Sequence, residues 1–327
     1  MSRTLAIKQE KWKLASAFTI SRGSKTEAEV VVVELSEDGK VGRGECVPYA
    51  RYKETVSGVI EAIEGFKGVI EGGGGRARIR KLMQPGAARN AVDCAIWDLE
   101  AKLAGRRAWE IAELAPPHDV TTAYTLSLDT PEKMATAAKA NADRPLLKLK
   151  LAGPEDLDRV KAVHQAAPKA SLIVDANEGW TIDDYKKLAP ELAGLGVKLI
   201  EQPLPAADDM DLIAVPHPVP VCAEESCHDL TTLRTLKGRY EVVNLKLDKA
   251  GGLTEALAMV AEAKRLEFQI MVGCMMATSL SMAPAFLVAQ HARFVDLDGP
   301  LWLAEDRPHG FRFTGSVMHP NDPALWG

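Results

Sequence analysis

Apolar residues run from Val30 to Leu35, Asp38-Gly39 offers a turn, and Val41 to Cys46 returns. That pattern predicts a β-hairpin near the start of the chain. Further on, Val92, Ile96, Leu99 and Leu103 recur at helical spacing, which predicts a helix from about Ala87 to Ala104, ended by Gly105. Between the two, Gly72 to Gly75 follow no strand and lack phosphate-cradle spacing, so they read as a flexible link between helices. Pro116-Pro117 marks a boundary.

Beyond those prolines, short apolar runs alternate with helical patterns, and each run ends in a polar residue. Leu146 to Lys150 ends in lysine, Leu172 to Val174 leads into Asp175, and Val197 to Ile200 into Glu201. Val219 to Ala223 leads into Glu224-Glu225, Val242 to Leu247 contains Lys246, Ile270 to Gly273 reaches Cys274, and Phe294-Val295 meets Asp296. Helices are expected between them, among them Pro154 to Ala167, Thr181 to Leu195 and Thr254 to Leu266. Alternating βα units imply a parallel sheet. An open doubly wound sheet would carry a Gly-rich fingerprint after its first strand, and none is present. Polar residues at many strand ends favour a barrel, whose active sites gather at that face.

Length agrees: 327 residues accommodate a barrel of roughly 250 residues and an appended piece. A net charge of -5 gives no basic footprint, so nucleic acid is not an expected partner. Lys8, Glu10, Lys11 and Lys13 interrupt what a signal peptide needs, and no apolar run is long enough for a membrane span. The five cysteines, Cys46, Cys94, Cys222, Cys227 and Cys274, are odd in number and show no CxxC spacing. A reduced, cytoplasmic protein without a membrane partner is expected, and the sequence leaves room for a homo-oligomer.

In a barrel, Asp175, Glu201 and Glu224 would end three consecutive strands and converge on one mouth. Carboxylates so placed repel one another unless a cation sits among them, and hard oxygen ligands select Mg²⁺ or Mn²⁺. Taken singly, Asp175 could cap a turn before Asn177 and the glutamates could be ordinary loop charges. Their common register favours a metal site. Lys148 and Lys150 flank Leu149, so their ammonium groups point to one side of the strand. Facing inward, each would depress the other's pKa, which makes a base usable near neutral pH. A lone KxK more often marks a solvated edge. Lys246 strengthens the catalytic reading, because it lies in an apolar run on a strand across the barrel, where an unpaired ammonium is costly. A metal neutralising a substrate carboxylate, with lysines on opposite sides, would remove an α-proton from one face and return it to the other.

The chain resembles the enolase superfamily, in the muconate-lactonizing-enzyme subgroup and, within it, the dipeptide epimerases. In the N-terminal part the resemblance is carried by Phe18-Thr19-Ile20-Ser21-Arg22-Gly23, Gly42-Arg43-Gly44-Glu45-Cys46 and Ala88-Arg89-Asn90-Ala91-Val92-Asp93. In the barrel it is carried by Lys148-Leu149-Lys150, Asp175-Ala176-Asn177, Glu201-Gln202-Pro203, Glu224-Glu225-Ser226 and Asn244-Leu245-Lys246, ending with Asp296-Leu297-Asp298-Gly299-Pro300. The closest likeness is to the L-Ala-D/L-Glu epimerases, which act on a murein-derived dipeptide. A lysine base with Mg²⁺ stabilising an ene-diolate is the known pattern of this superfamily.

The resemblance implies an α/β fold, a modified TIM barrel, (β/α)7β, with an α+β capping domain. Residues 1–118 would form the cap, 119–303 the barrel, and 304–327 a segment returning to the cap. It makes Asp175, Glu201 and Glu224 the ligands of Mg²⁺, with Mn²⁺ as an alternative. Lys150 becomes the base for the (R)-configured centre, Lys246 the base for the (S)-configured one, and Lys148 a contact of the substrate carboxylate. Asp296 and Asp298 would meet the dipeptide's free ammonium, as two carboxylates at a strand end can. Thr125 and Cys274 resemble substrate contacts, although packing would explain Cys274 as well.

Two departures stand out. Glu224 replaces the aspartate of most dipeptide epimerases, and strand alternation would turn its rival Glu225 away. Lys25 stands where the closest epimerases place an arginine for the glutamate side chain, keeping the charge without the bidentate fork. Loops around Arg22 to Lys25 and Tyr49 to Tyr52 are expected to close the mouth.

The same constellation serves N-acylamino-acid racemases, o-succinylbenzoate synthases and cycloisomerases, none of which gives Asp296 and Asp298 an ammonium to bind. A metal-free Schiff-base aldolase acting through Lys246 would leave the three acids unexplained, and a silent binding protein would need neither the acids nor both lysines.

Overall fold

The computed structural model describes residues 2–153 and 155–327. Strand β1 (Thr4–Ile20) pairs antiparallel with β2 (Gly23–Glu37), which pairs with β3 (Lys40–Cys46). The expected hairpin is the β2–β3 pair, and its turn residues Asp38 and Gly39 have φ of 47° and 74°, as a two-residue hairpin turn requires. Strand β1 was not foreseen. Leu5, Ile7, Trp12 and Leu14 face inward while Lys11 and Lys13 stay exposed, so charge disguises a half-buried strand. Ile20 pairs with Gly23, leaving Ser21-Arg22 as the turn; Arg22 therefore stands at a hairpin tip and Lys25 lies opposite Phe18.

The helix Ala87–Ala104 has the expected bounds and ends at Gly105, whose φ is 63°. It lies so close to β3 that a Cβ on Gly42 would stand 2.3 Å from Ala95 O, and one on Gly44 2.1 Å from Ala91 O. Only glycine permits that approach. Leu103 departs from the predicted buried stripe: it is exposed, because the last turn runs out into solvent. Gly72 to Gly75 link the helices Lys67–Glu71 and Arg76–Leu82, as predicted.

A short strand, β4 (Val120–Thr121), precedes the barrel. The barrel strands are β5 (Tyr124–Leu126), β6 (Leu146–Lys150), β7 (Ser171–Asp175), β8 (Leu199–Glu201), β9 (Val221–Ala223), β10 (Val242–Leu245), β11 (Gln269–Gly273) and β12 (Phe294–Asp296). Neighbours in sequence are neighbours in the sheet and run parallel. The ring closes where Ala123 N donates to Val295 O at 2.7 Å. Its interior is filled by Ala123, Ile173, Leu199, Cys222, Val242, Met271 and Phe294, one from each of several strands, so the barrel is a packed core and not a pore.

Five crossovers carry the helices Pro131–Ala140, Asp156–Ala166, Ile182–Gly194, Leu253–Arg265 and Ser279–Ala289. The second, third and fourth agree with the three expected ranges, except that the Pro154 start lies outside the described residues; the first and last had no range assigned. The crossover before β9 carries only a 3₁₀ turn, Met210–Ala214, and the one after it a single short helix, Leu230–Arg234. Another correction concerns Lys246. Its strand stops at Leu245, and Lys246 precedes the short helix Leu247–Ala250. The final pair, β13 (Phe313–Thr314) and β14 (Val317–Met318), adds to β4. No helix among the described residues is long and apolar enough to cross a membrane.

Candidate active site

Parallel strands bring the chosen barrel residues to one end of the barrel. Lys150, Asp175, Glu201 and Asp296 are the last residues of β6, β7, β8 and β12, and Glu224, Lys246 and Cys274 directly follow β9, β10 and β11. A cavity of about 360 Å³ opens there. Thr125, Lys150, Glu224, Lys246, Cys274, Asp296 and Asp298 line it from the barrel, and Phe18, Ile20, Arg22, Lys25 and Tyr49 from the cap. Lys148, Asp175 and Glu201 are buried beneath that lining.

Each lysine has a carboxylate partner. Lys150 Nζ lies 2.5 Å from Asp175 Oδ2. Lys148 Nζ stands 2.7 Å from both Glu201 Oε2 and Asp296 Oδ2, and 3.3 Å from Asp175 Oδ2. Lys246 Nζ is 3.1 Å from Glu224 Oε1, and the fully buried Lys249 is 2.9 Å from the same atom. The expected mutual depression of Lys148 and Lys150 is therefore overturned for Lys148. Burial pulls its pKa down, but the charges of Asp296, Glu201 and Asp175 outweigh burial and hold it well above the ordinary lysine value. Lys246 is raised in the same way, burial and the Lys148 charge opposing, Glu224 prevailing.

The acids divide accordingly. Against burial, Lys150 and Lys148 draw Asp175 down to about 2. Lys246 and Lys249 likewise hold Glu224 well below its usual range, while burial and the Asp175 charge raise Glu201. Among the described residues, no group of His, Cys, Asp and Glu side chains is arranged to hold a metal ion as it stands, because ammonium groups take up the carboxylates. The donor set nevertheless fits a hard divalent cation. Asp175, Glu201 and Glu224 are buried oxygen donors on adjacent strands, and Glu201 Oε2 and Glu224 Oε1 have ion-pair distances but no hydrogen bond. Such buried, incompletely satisfied oxygens are what a cation would complete.

Asp298 Oδ2 accepts from Thr125 N at 2.7 Å, and Thr125 Oγ1 stands 3.4 Å from Asp296 Oδ1. Burial and the neighbouring Asp296 charge push the Asp298 carboxyl up to about 6. Two carboxyl groups this close together suit a cation between them.

The cap closes the mouth as expected. Arg22 donates to Glu225 Oε1 at 2.9 Å and to Asn177 O at 3.1 Å, and Arg51 grips Glu178 through two bonds of 2.8 and 2.7 Å. Lys25 makes no ion pair among the described residues; its Nζ lies 5.6 Å from the Tyr49 ring centre. Sequence reasoning missed Lys249, Glu178 and Arg51, and it misjudged Glu225. Glu225 lies beyond the end of β9, where alternation no longer applies, so its side chain is buried beside Arg22 rather than turned away. A lysine in Leu247-Asp248-Lys249-Ala250, just ahead of two glycines, was the available signal for Lys249.

Known proteins resemble this chain in sequence and in fold. The mandelate racemase/muconate lactonizing enzyme N-terminal domain model matches residues 2–111, and the enolase C-terminal domain-like model matches residues 132–324. The L-Ala-D/L-Glu epimerase of Escherichia coli (strain K12) is 45% identical over 319 residues, covering 97% of this chain and 99% of its own. An N-acetyl-D-glutamate racemase from Pseudoalteromonas sp. is 44% identical over 306 residues, 91% of this chain and 95% of its own. A crystal structure of an enolase family member from Agrobacterium tumefaciens with homology to dipeptide epimerases, holding sodium and L-Ala-L-Glu, is 51% identical with a TM-score of 0.98, covering 99% of this chain and all of that one. Two family models in tandem and relatives aligned nearly end to end leave one assignment: the chain belongs to the enolase superfamily, in its mandelate racemase/muconate lactonizing enzyme branch.

Proposed function

We propose that this enzyme inverts the α-carbon of the second residue of a dipeptide, with L-Ala-D/L-Glu as the leading substrate. The observation that carries the reading is the placement of two lysines. Lys150 ends β6 and Lys246 follows β10, four places apart in a ring of eight, and both line one cavity. An α-carbon held between them can lose its proton to one lysine and gain another from the opposite side. The receiving lysine becomes an ammonium and the donating one a neutral amine, so charge balances over the turnover.

Asp296 and Asp298 suit the dipeptide's free ammonium. Lys150 serves the (R) centre and Lys246 the (S) centre, while Thr125 and Cys274 form the wall against which the substrate lies. Lys148, between the strand-end acids and Asp296, is the neighbouring positive charge for the substrate carboxylate. Asp175, Glu201 and Glu224 would hold a divalent cation, Mg²⁺ with Mn²⁺ as substitute, which supplies positive charge to the substrate carboxylate as the α-proton leaves. Arg22 is committed to Glu225 and Asn177, which leaves Lys25 as the cap cation for an acidic second side chain. The L-Ala-L-Glu in the Agrobacterium structure and the name of the Escherichia coli relative support that substrate. We read residues 1–118 with 304–327 as the cap over a barrel of 119–303. Bonds from Trp326 Nε1 to Cys94 O (3.1 Å) and from Gly327 N to Asp98 Oδ1 (2.8 Å) support that division.

The Pseudoalteromonas relative motivates a second reading, racemisation of an N-acylated amino acid. Asp296 and Asp298 weigh against it, since an amide nitrogen carries no charge for them to bind. One experiment tests both. With Mg²⁺ in D₂O, proton NMR should show one deuterium entering the α-position of the second residue of L-Ala-L-Glu, and N-acetylglutamate should exchange far more slowly. A Lys246→Ala variant should fold and lose epimerisation by about 10³-fold. No exchange in any dipeptide, with metal bound, would sink the proposal; faster exchange in N-acetylglutamate would establish the second reading.

A further inference from the structure

Glu224 enters the cavity from a turn whose main chain is held by hydrogen bonds reaching well away from the mouth. Gln202, fully buried and held at φ 36°, is the centre of this arrangement. Its Oε1 accepts from Glu224 N at 2.9 Å and from Ser226 N at 3.1 Å. Its Nε2 faces Leu204 O at 2.9 Å and the hydroxyls of Ser226 and Tyr240, each at 3.0 Å. Behind those hydroxyls lies Asp209, 1% exposed. Its Oδ2 accepts from Ser226 Oγ and from Tyr240 OH, both at 2.6 Å, and Arg239 donates to its Oδ1.

The polarity of this network has one source. An ionised carboxylate only accepts, so both hydroxyl protons point at Asp209 and both hydroxyl lone pairs are left for the Gln202 amide nitrogen. The amide oxygen must then face the main-chain N–H groups of Glu224 and Ser226. Asparagine at position 209 would keep the shape and lose that direction. Its oxygen would stay with Arg239, its NH₂ would face the hydroxyls, and their protons would turn toward Gln202. A flipped Gln202 would set an NH₂ against two N–H donors, which frees the turn.

We infer that Asp209 is a positioning residue for Glu224, acting through Ser226, Tyr240 and Gln202 to fix the turn from which that carboxylate reaches the cation site. None of these four lines the cavity. The inference rests on the reading of Glu224 as a ligand, which the same experiment checks separately.

The test is calorimetric titration of Mg²⁺ into metal-stripped wild type, Asp209→Asn, Tyr240→Phe and Glu224→Gln, with thermal unfolding of each in the absence of metal. Asp209→Asn should bind Mg²⁺ about tenfold more weakly, with turnover recovering as Mg²⁺ is raised. Tyr240→Phe should show a smaller loss in the same direction, and Glu224→Gln the largest. A merely structural role would lower the melting temperature and leave the Mg²⁺ affinity of Asp209→Asn and Tyr240→Phe unchanged, and that result overturns the inference. Unchanged affinity in Glu224→Gln would instead overturn the assignment of Glu224 as ligand. Should Asp209→Asn fail to melt cooperatively, Tyr240→Phe decides alone.

Discussion

The cap meets the barrel along two seams, one behind the cavity and one over its mouth, and they are built differently. At the rear, Arg89, Asn90 and Asp93 of the helix Ala87–Ala104 are no more than 3% exposed. Arg89 donates to Gly251 O, Ala250 O, Arg80 O and Met83 O, and Asp93 accepts from Thr254 N and Oγ1. At the mouth, the Arg22 and Arg51 side chains are 28% and 37% exposed and bind carboxylates. Buried bonds to fixed main-chain atoms cannot be replaced by water, whereas half-exposed ion pairs can. The rear seam therefore holds the cap to the barrel, and the front seam is free to part and re-form as substrate passes.

The largest effect should come from breaking the rear. Arg89→Ala strands four carbonyls, three of them in buried bonds, and removes the charge 3.6 Å from Glu255. We expect a loss of about 3 kcal/mol in denaturant unfolding, with turnover per folded molecule nearly unchanged at low temperature. Full stability in this variant would show that the rear seam contributes little.

Breaking the front should do the reverse. Arg51→Ala removes both bonds to Glu178, a residue held at φ 66° where only a supported side chain is expected. Stability should change by no more than about 1 kcal/mol. The value of kcat/KM for the dipeptide should fall about tenfold, as a lid that no longer rests closed admits water and releases substrate. A variant that loses stability as Arg89→Ala does, with unaltered kinetics, would erase the distinction between the seams.

Much of the barrel could be read before the structure, and the reason separates the two seams again. Strand-end residues such as Lys150, Asp175 and Glu201 follow apolar runs, so register alone places them. Helix Ala87–Ala104 was bounded correctly because Gly105 ends it in a left-handed conformation. What escaped depends on contacts distant in sequence. Arg51 and Glu178 are 127 residues apart, and nothing local marks either as one half of a pair. Glu225 was misjudged because alternation was extended past the end of β9. The sequence showed lysines close enough to repel one another, but not that Asp296 of β12, two places away round the closed ring, pairs with Lys148 and reverses the sign of its shift.

The smallest expected effect is a pH slope carried by the rear seam. Asp248 Oδ1 accepts from Val47 N at 3.0 Å and from Asn90 Nδ2 at 2.8 Å. Burial pushes its carboxyl up to about 7; those two bonds oppose the shift, and the Glu54 and Glu45 charges add to it. In the unfolded chain the group titrates near 3.8. Between the two values the unfolded chain has released a proton that the folded protein keeps, so rising pH favours unfolding; outside that window the contribution is flat. From pH 6 to 8 the loss should be about 1 kcal/mol. Asp93, raised by burial to about 6, acts in the same sense, so the difference between wild type and Asp248→Asn isolates Asp248. Asparagine keeps the accepting oxygen, and its melting temperature should be flatter over this range than that of wild type. Equal slopes would remove Asp248 from the account. At the front seam the Arg51–Glu178 pair adds no slope there: burial works against it, but the Arg51 bonds hold Glu178 below the usual carboxylate range, and it stays charged throughout.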